Sequence, residues 1–367
     1  MIIKNLILEN FRNYEFLNFN PSDKFNVFLG KNAMGKTNLL ESIYMITFGK
    51  SFRTNLDRDL IKLGKLNSTL SAKIDLFGYE DEARLNLNLF EKNKFEINEE
   101  EFSLKNYRKD FSSVLFYPDD LNLIKNSPSD RRKYFDILNT KISTDYEYNF
   151  LKYRKILLDR NKLLKYKLDK KLLEVYNNEL AIYGIKLLRD RLKLLREFET
   201  LLKPHFNKLS AGSNISITYL STIDFKDGLL EEKFLNELNN ILYKDLEYKY
   251  TTIGPHRDDI EFKIDSLNAK NFASQGEIRT LVLSLKLAEI DLIKKYKKNP
   301  PILLLDDVFS EIDKRRSYYL VDSIKNIQCF ITSTDLSMEI FKTIDGNFYQ
   351  IDKGSIKNKL GEDNERK

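Results

Sequence analysis

The sequence predicts an α/β protein: a mixed sheet with an antiparallel β-lobe, interrupted by an inserted α-helical domain. Three observations carry this. The apolar run Lys24–Leu29 feeds a glycine loop and then a helical pattern from Thr37 to Phe48. A second apolar run, Pro301–Leu305, ends in Asp306-Asp307, as a fully buried parallel strand would. Between them, from Ser129 to about Ser210, Leu, Lys, Arg, Tyr and Glu dominate and the sole glycine is Gly184. The expected division is therefore 1–125, an inserted helical domain 126–210, and 211–367.

The bulk composition bounds the answer. A chain of 367 residues suits two domains, or one large domain with an insertion. With 42% hydrophobic and 32% charged residues it has material for a core and a heavily charged surface. The net charge of +6 excludes a uniformly basic coat but not a local basic patch. One cysteine excludes a disulfide framework, and two histidines, His205 and His256, argue against a histidine metal centre. The start lacks the apolar core of a signal peptide, and no apolar stretch approaches the length of a membrane span. These features predict a cytoplasmic protein.

The elements follow in order. Ile2-Ile3, Leu6-Ile7-Leu8 and Lys24–Leu29 read as strands. Leu39, Leu40, Ile43, Ile46 and Thr47 recur at helical spacing, with Gly49 as the stop. Leu70, Ala72, Ile74 and Leu76, then Ala83, Leu85, Leu87 and Leu89, alternate as half-buried antiparallel strands do. The insertion reads as two or three long helices closed by Pro204, and a 30-residue helix would reach about 45 Å. Strands return at Ile215–Tyr219 and Asp259–Ile264, with a helix near 229–247 and another from about Gln275 to Tyr296. The tail from about Lys353 reads as frayed.

Gly30-Lys31-Asn32-Ala33-Met34-Gly35-Lys36-Thr37 fits G-x-x-x-x-G-K-[ST] in the right context, strand before and helix after. Backbone amides of such a loop wrap phosphates at a helix N-terminus; Lys36 reaches the β- and γ-phosphates and the Thr37 hydroxyl binds Mg²⁺. A P-loop nucleotidase needs a second acidic group on the metal at the end of a buried strand. Asp306 supplies it, and Asp307 is placed to orient the attacking water. ATP and Mg²⁺ are the expected ligands.

Further segments carry a resemblance. Ser274-Gln275-Gly276-Glu277 opens a helix about 30 residues before the distal aspartates, where ABC-type ATPases place their signature, and Ser310-Glu311-Ile312-Asp313 sits where their D-loop would be. Asn10-Phe11-Arg12-Asn13-Tyr14, Ser51-Phe52-Arg53-Thr54, Phe116–Leu121 with Arg131-Arg132, and Gly254-Pro255-His256-Arg257-Asp258-Asp259 complete the set. In this order the blocks resemble the RecF family of bacterial recombination-repair ATPases, across nearly the whole chain. The resemblance implies an ABC-type P-loop ATPase head and a homodimer closing around ATP. In it the signature residues Ser274, Gln275 and Gly276 of one subunit cap the nucleotide held by the other, and Arg12 contacts phosphate. It also implies binding to single- and double-stranded DNA and junctions, recombination-mediator partners, and a weak DNA-dependent ATPase acting as a switch in gap repair and the SOS response.

Several points stay open at this level. Ser-x-x-Glu is equally a capping box. His256 suits a catalytic or a structural role, Arg12 a phosphate contact or a surface charge, and Arg53 a dimer or nucleic-acid contact. The general ABC pattern has a glutamate where Asp307 stands, a switch histidine that Phe330–Asp335 lacks, and a glutamine that Phe116–Leu121 lacks; slow turnover is expected. Between Leu151 and Lys170, Lys152, Arg154, Lys155, Arg160, Lys162, Lys165, Lys167 and Lys170 are opposed only by Asp159 and Asp169, with Tyr153 and Tyr166 interleaved. This is either a DNA-gripping helix or a solvated face. The alternatives are the ATPase subunit of an ABC transporter, which the long charged insertion argues against, and a cohesin- or condensin-type head, for which the heptad arm is missing.

Overall fold

The computed structural model describes residues 1–104, 106–107, 111–166, 169–225, 228, 231–335 and 339–360. Contacts divide the chain into two units, one made of Met1–Asp120 with Glu289–Lys367 and the other of Leu121–Ala288. The sequence ended the insertion at residue 210. The structure carries it on to Ala288, because the strands that follow the helices share their core.

The first unit opens with β1 (Ile2–Phe11), β2 (Tyr14–Phe19), β3 (Phe25–Leu29) and α1 (Lys36–Phe48). It continues through β4 (Asn67–Leu76), β5 (Tyr79–Asn88), β6 (Lys94–Ile97), β7 (Glu100–Phe102) and β8 (Ser113–Phe116). One sheet is antiparallel throughout, in the order β2-β1-β4-β5-β6-β7. Period-2 patterning sets its register: Leu8 pairs with Leu70 and Leu70 with Leu85, so buried leucines line up across three strands. This is the expected β-lobe, with Leu89 lying just past β5 and exposed.

The second unit begins with α2 (Pro128–Ile142), α3 (Thr144–Tyr166) and α4 (Lys170–Ser210). Next come β9 (Ile215–Leu220), α5 (Glu231–Asn240), α6 (Leu242–Tyr248), β10 (Asp259–Ile264) and β11 (Leu267–Asn268). Helices α3 and α4 form an antiparallel hairpin. Tyr146 meets Arg191, Tyr153 lies beside Gly184, and Arg160 bonds Asn177. The contacts step seven residues on each helix, the spacing of a helical seam. The glycine in the middle is required: a Cβ on Gly184 would lie 2.4 Å from the Phe234 ring. Pro204 does not close α4, which runs to Ser210 with Phe206 and Leu209 buried beyond the proline. Burial of that last turn outweighs the one backbone bond that proline removes. Phe135 of α2 contacts Phe198 of α4 and Phe262 of β10 at 5.3 and 6.3 Å, which ties the three-stranded sheet β11-β10-β9 to the helices.

Helix α7 (Gln275–Lys297) begins in this unit and ends in the first, which then adds β12 (Ile302–Asp306), α8 (Lys314–Ile324), β13 (Cys329–Ser333), β14 (Gly346–Asp352) and β15 (Ser355–Leu360). The expected frayed tail contains β15, and 361–367 lie outside the described residues. The second sheet of the first unit runs β15-β14-β3-β13-β12-β8; all neighbours are parallel except β15 on β14, so the sheet is mixed. Every residue of β3, β12 and β13 is buried, which explains their unbroken apolar runs. Phe19 of β2 packs edge-on against Phe28 of β3 and Tyr349 of β14, joining the two sheets. Helix α1 contacts strands of both and is buried on almost every side.

Candidate nucleotide site

The parallel register brings the C-terminal ends of three strands together: Leu29 of β3 pairs with Ser333 of β13, and Thr332 with Asp306 of β12. Sites in open α/β sheets form at such ends. The chain leaves β3 at Gly30, where a Cβ would sit 2.5 Å from the Ile351 carbonyl oxygen, so only glycine passes. At Gly35 φ is 111° and a Cβ would meet the Asn13 amide at 2.6 Å. The loop is braced from outside. Tyr14 Oη donates to Gly35 O at 3.0 Å, and Met34 O accepts from the Gly354 N–H at 3.0 Å and from Asn13 Nδ2 at 3.2 Å. Helix α1 has no side-chain cap and no acidic residue in its first turn. Its N-terminal amides and dipole are therefore set for an external anion.

Lys36 Nζ donates to the loop's own carbonyls, Gly30 O at 2.5 Å and Lys31 O at 2.9 Å. Burial lowers its pKa, against the opposing pull of Asp307 and Asp306. Thr37 Oγ1 lies 3.0 Å from both Asp306 oxygens, and Thr332 Oγ1 donates to Asp306 Oδ1 at 2.7 Å. Asp307 stands one residue on, in the left-handed region at φ 51°, with its N–H on Thr332. Its Oδ1 is buried and has no hydrogen-bond partner. Burial raises its pKa, against the lowering pull of a Ser310 hydrogen bond and with a smaller push from the Asp306 charge. A buried acceptor left without a donor calls for an explanation, and beside a nucleotide loop a bound water or substrate supplies one.

A hydroxyl and one carboxylate suit Mg²⁺, which keeps waters and phosphate oxygens as its other ligands. Among the described residues no cluster of three or more His, Cys, Asp or Glu could hold a metal unaided. The donor set thus fits a metal that arrives with a nucleotide.

Arg12 is paired away from the loop: Nε and Nη2 fork Glu41 at 2.9 and 2.8 Å, and Nη1 donates to Asp59 O at 2.6 Å. Its neighbour Asn13 touches the loop instead, and accepts from Asn38 Nδ2 at 2.8 Å. Glu41 is fully buried, so it needs full pairing; Ser51 Oγ and Arg53 complete it at 2.5 and 3.5 Å. The Asn10–Tyr14 and Ser51–Thr54 blocks therefore converge on one carboxylate. Sequence reasoning passed over Glu41, although a charge among Leu39, Leu40 and Ile43 was a signal. The basic stretch divides into buried and exposed residues. Arg160 is buried and paired with Asp245 at 2.7 Å, and Tyr153 is buried against His256. Lys152, Arg154, Lys155, Lys162, Lys165 and Lys170 are exposed, and Lys167 lies outside the described residues.

At the head of α7 the capping box forms. Ser274 N and Oγ donate to Glu277 Oε2 at 2.8 and 2.7 Å, which holds the Glu277 carboxyl below its usual pKa. Ser274 and Gln275 are exposed, and a Cβ on Gly276 would meet nothing within 4 Å, so packing within the chain does not demand that glycine. In the D-loop segment, Asp313 caps α8 through the Arg316 N–H at 2.9 Å. His256 is structural. Its Nε2 faces the Thr251 carbonyl at 3.1 Å and so carries the proton, leaving Nδ1 to accept from Tyr153 Oη at 2.7 Å. Burial pushes its pKa down to about 3.

The RecF/RecN/SMC N terminal domain model matches residues 2–353. A protein of Alkaliphilus oremlandii named DNA replication and repair protein RecF is 38% identical over 97% of this chain and 100% of its own length. Its namesake from Clostridium tetani is 39% identical over 96% and 99%. Among solved structures, the recombination mediator protein RecF with ATPrS, of the RecFOR pathway, superposes with TM-score 0.91 at 31% identity, covering 98% of both chains. An Smc head bound to the C-winged helix domain of ScpA, at TM-score 0.58 and 15% identity, shares the fold. The transporter alternative falls away against these matches, and the chain belongs to the RecF family.

Proposed function

We propose that this chain is an ATP-dependent DNA-binding protein of replication and recombinational repair. The observation that carries it is the Gly30–Thr37 loop set against Asp306, with the buried Oδ1 of Asp307 unpartnered beside them. RecF structures solved with ATP and with ATPrS share this fold at 31% identity.

Each residue has a role its chemistry suits. The α1 amides and Lys36 bind phosphate, with Lys36 exchanging its loop carbonyls for phosphate oxygens. Thr37 and Asp306 would hold Mg²⁺, which would supply charge neutralisation on the phosphates. Asp307 accepts a proton from, and orients, the attacking water; its side chain, shorter by one carbon than a glutamate, holds that water less well and favours slow turnover. Ser274, Gln275 and Gly276 cap the γ-phosphate of a second copy, so nucleotide closes a homodimer that grips DNA. Recombination mediators are the expected partners and the cytoplasm the expected location. Among the described residues no helix is long and apolar enough to cross a membrane.

Nucleotide binding and sedimentation test this. Lys36→Ala should abolish binding of a fluorescent ATP analogue. Ser274→Arg should bind it normally yet stay monomeric with ATP. Dimerisation of Ser274→Arg would overturn capping across the dimer, and full binding by Lys36→Ala would overturn the loop assignment.

A further inference from the structure

The second unit carries an aromatic and cationic surface that the nucleotide chemistry does not use. Tyr243, Tyr248 and Tyr250 are 82%, 51% and 39% exposed. The Tyr248 and Tyr250 rings lie 5.8 Å apart, and the Arg257 guanidinium sits 4.5 Å from the Tyr250 ring centre. Lys249, between the two tyrosines, ends α6 in the left-handed region at φ 61° and is exposed. Glu247 is the one exposed carboxylate between Tyr243 and Arg257.

The tyrosines are on a fixed base. The Thr251 N–H and hydroxyl both donate to Asn161 Oδ1 at 2.8 Å, and Thr251 Oγ1 accepts from the buried Arg160 at 2.7 Å. Thr252 N and Oγ1 donate to Asp245 Oδ1 at 2.9 and 2.7 Å, and Asp245 pairs with Arg160. The Arg257 Nε–H donates to Thr251 O at 3.3 Å. Thus a buried ion pair between α3 and α6 anchors a short segment whose aromatic side chains face solvent. Exposed aromatic rings on a rigid segment lose little entropy when a flat ligand stacks on them. The same α3 exposes Lys152, Arg154, Lys155, Lys162 and Lys165.

From this surface we infer that Tyr248, Tyr250 and Arg257 form a stacking platform for unpaired bases of single-stranded DNA. Lys249 and the α3 lysines hold the phosphates. Aromatic faces with interleaved cations are how proteins grip single strands without reading sequence; a duplex hides its base faces and gains only the phosphate contacts. A protein that stacks unpaired bases here and binds duplex elsewhere would recognise a junction between the two. The inference rests on the reading that this chain binds DNA, and it adds a place and a strand preference.

The test is fluorescence anisotropy on the full-length chain, with labelled oligothymidylate and a hairpin duplex. Tyr250→Ala and Tyr248→Ala should each weaken oligothymidylate binding about tenfold, since one stacked base contributes on the order of that factor. Tyr250→Phe, which keeps the ring, should bind as the unmodified protein does, and duplex binding should change by less than about twofold. A 2-aminopurine base in the oligonucleotide should be quenched by the unmodified protein and not by Tyr250→Ala. Arg257→Gln reports on the same platform if either alanine variant fails to fold. Equal oligothymidylate binding by all variants, or equal losses on duplex, would overturn the platform. So would absence of oligothymidylate binding by the unmodified protein, or binding to phosphatidylglycerol vesicles that the tyrosine variants abolish and oligothymidylate does not compete. ATP-dependent duplex binding in the same samples reports on the proposed function separately.

Discussion

Replacing Arg160 with alanine distinguishes a buried structural charge from a DNA contact. Arg160 and Asp245 have no exposed side-chain surface and meet at 2.7 Å. Arg160 also donates to Asn177 Oδ1 and Thr251 Oγ1, each at 2.7 Å. Removing it strands a buried carboxylate and two polar partners. Breaking one side of a buried pair costs about 3–5 kcal/mol. For a unit the size of Leu121–Ala288, that is a fall in melting temperature of about 8–16 °C, taking the middle of that range. Urea unfolding followed by circular dichroism at the helix band reads the change as a lower midpoint at unchanged slope. Arg160→Met combined with Asp245→Asn removes both charges and should recover at least half of the loss. The reasoning is refuted if Arg160→Ala costs under about 1 kcal/mol while DNA affinity falls and its salt dependence shallows, since that pattern belongs to a phosphate contact.

Two other outcomes follow from the geometry. Gly35→Ala places a Cβ at φ 111° against Asn13 and should abolish ATP-analogue binding and lower stability by about 1–3 kcal/mol in urea; normal binding at unchanged stability would mean the loop is not braced as described. His256 is neutral when folded and its pKa is depressed to about 3, so the unfolded chain takes up its proton first as pH falls below 6.5. The stability it contributes is complete above pH 6.5 and is lost between there and pH 3, by about 1–2 kcal/mol at pH 5. Comparing His256→Gln with the unmodified protein at pH 7.5 and pH 5 isolates this: the variant should show the shallower fall, and parallel falls would contradict it.

The nucleotide loop and Asp306 were legible because their chemistry is local: a loop between strand and helix, and a carboxylate at the end of a buried run. The same holds for α1 and its Gly49 stop, and for the alternating leucines of β4 and β5. What escaped depends on distance along the chain. Arg160 looks like one more surface cation until Asp245, 85 residues on, is known to reach it. Arg12 reads as a phosphate contact or a surface charge, and nothing local shows that Glu41, 29 residues on, takes its fork. Composition changes at residue 210 but packing does not, so the second unit runs on past it; Phe262 of β10 still shares a core with Phe135. Pro204 was read as a stop on local propensity, which the burial of Phe206 and Leu209 overrides.

The most direct test of the account is DNA binding as a function of nucleotide. Fluorescence anisotropy of the full-length chain on duplex DNA should show tight binding with ATP and Mg²⁺, weak binding with ADP or no nucleotide, and no ATP effect in Ser274→Arg. Equal affinity in all three nucleotide states would contradict a nucleotide-closed dimer and leave DNA on a fixed surface.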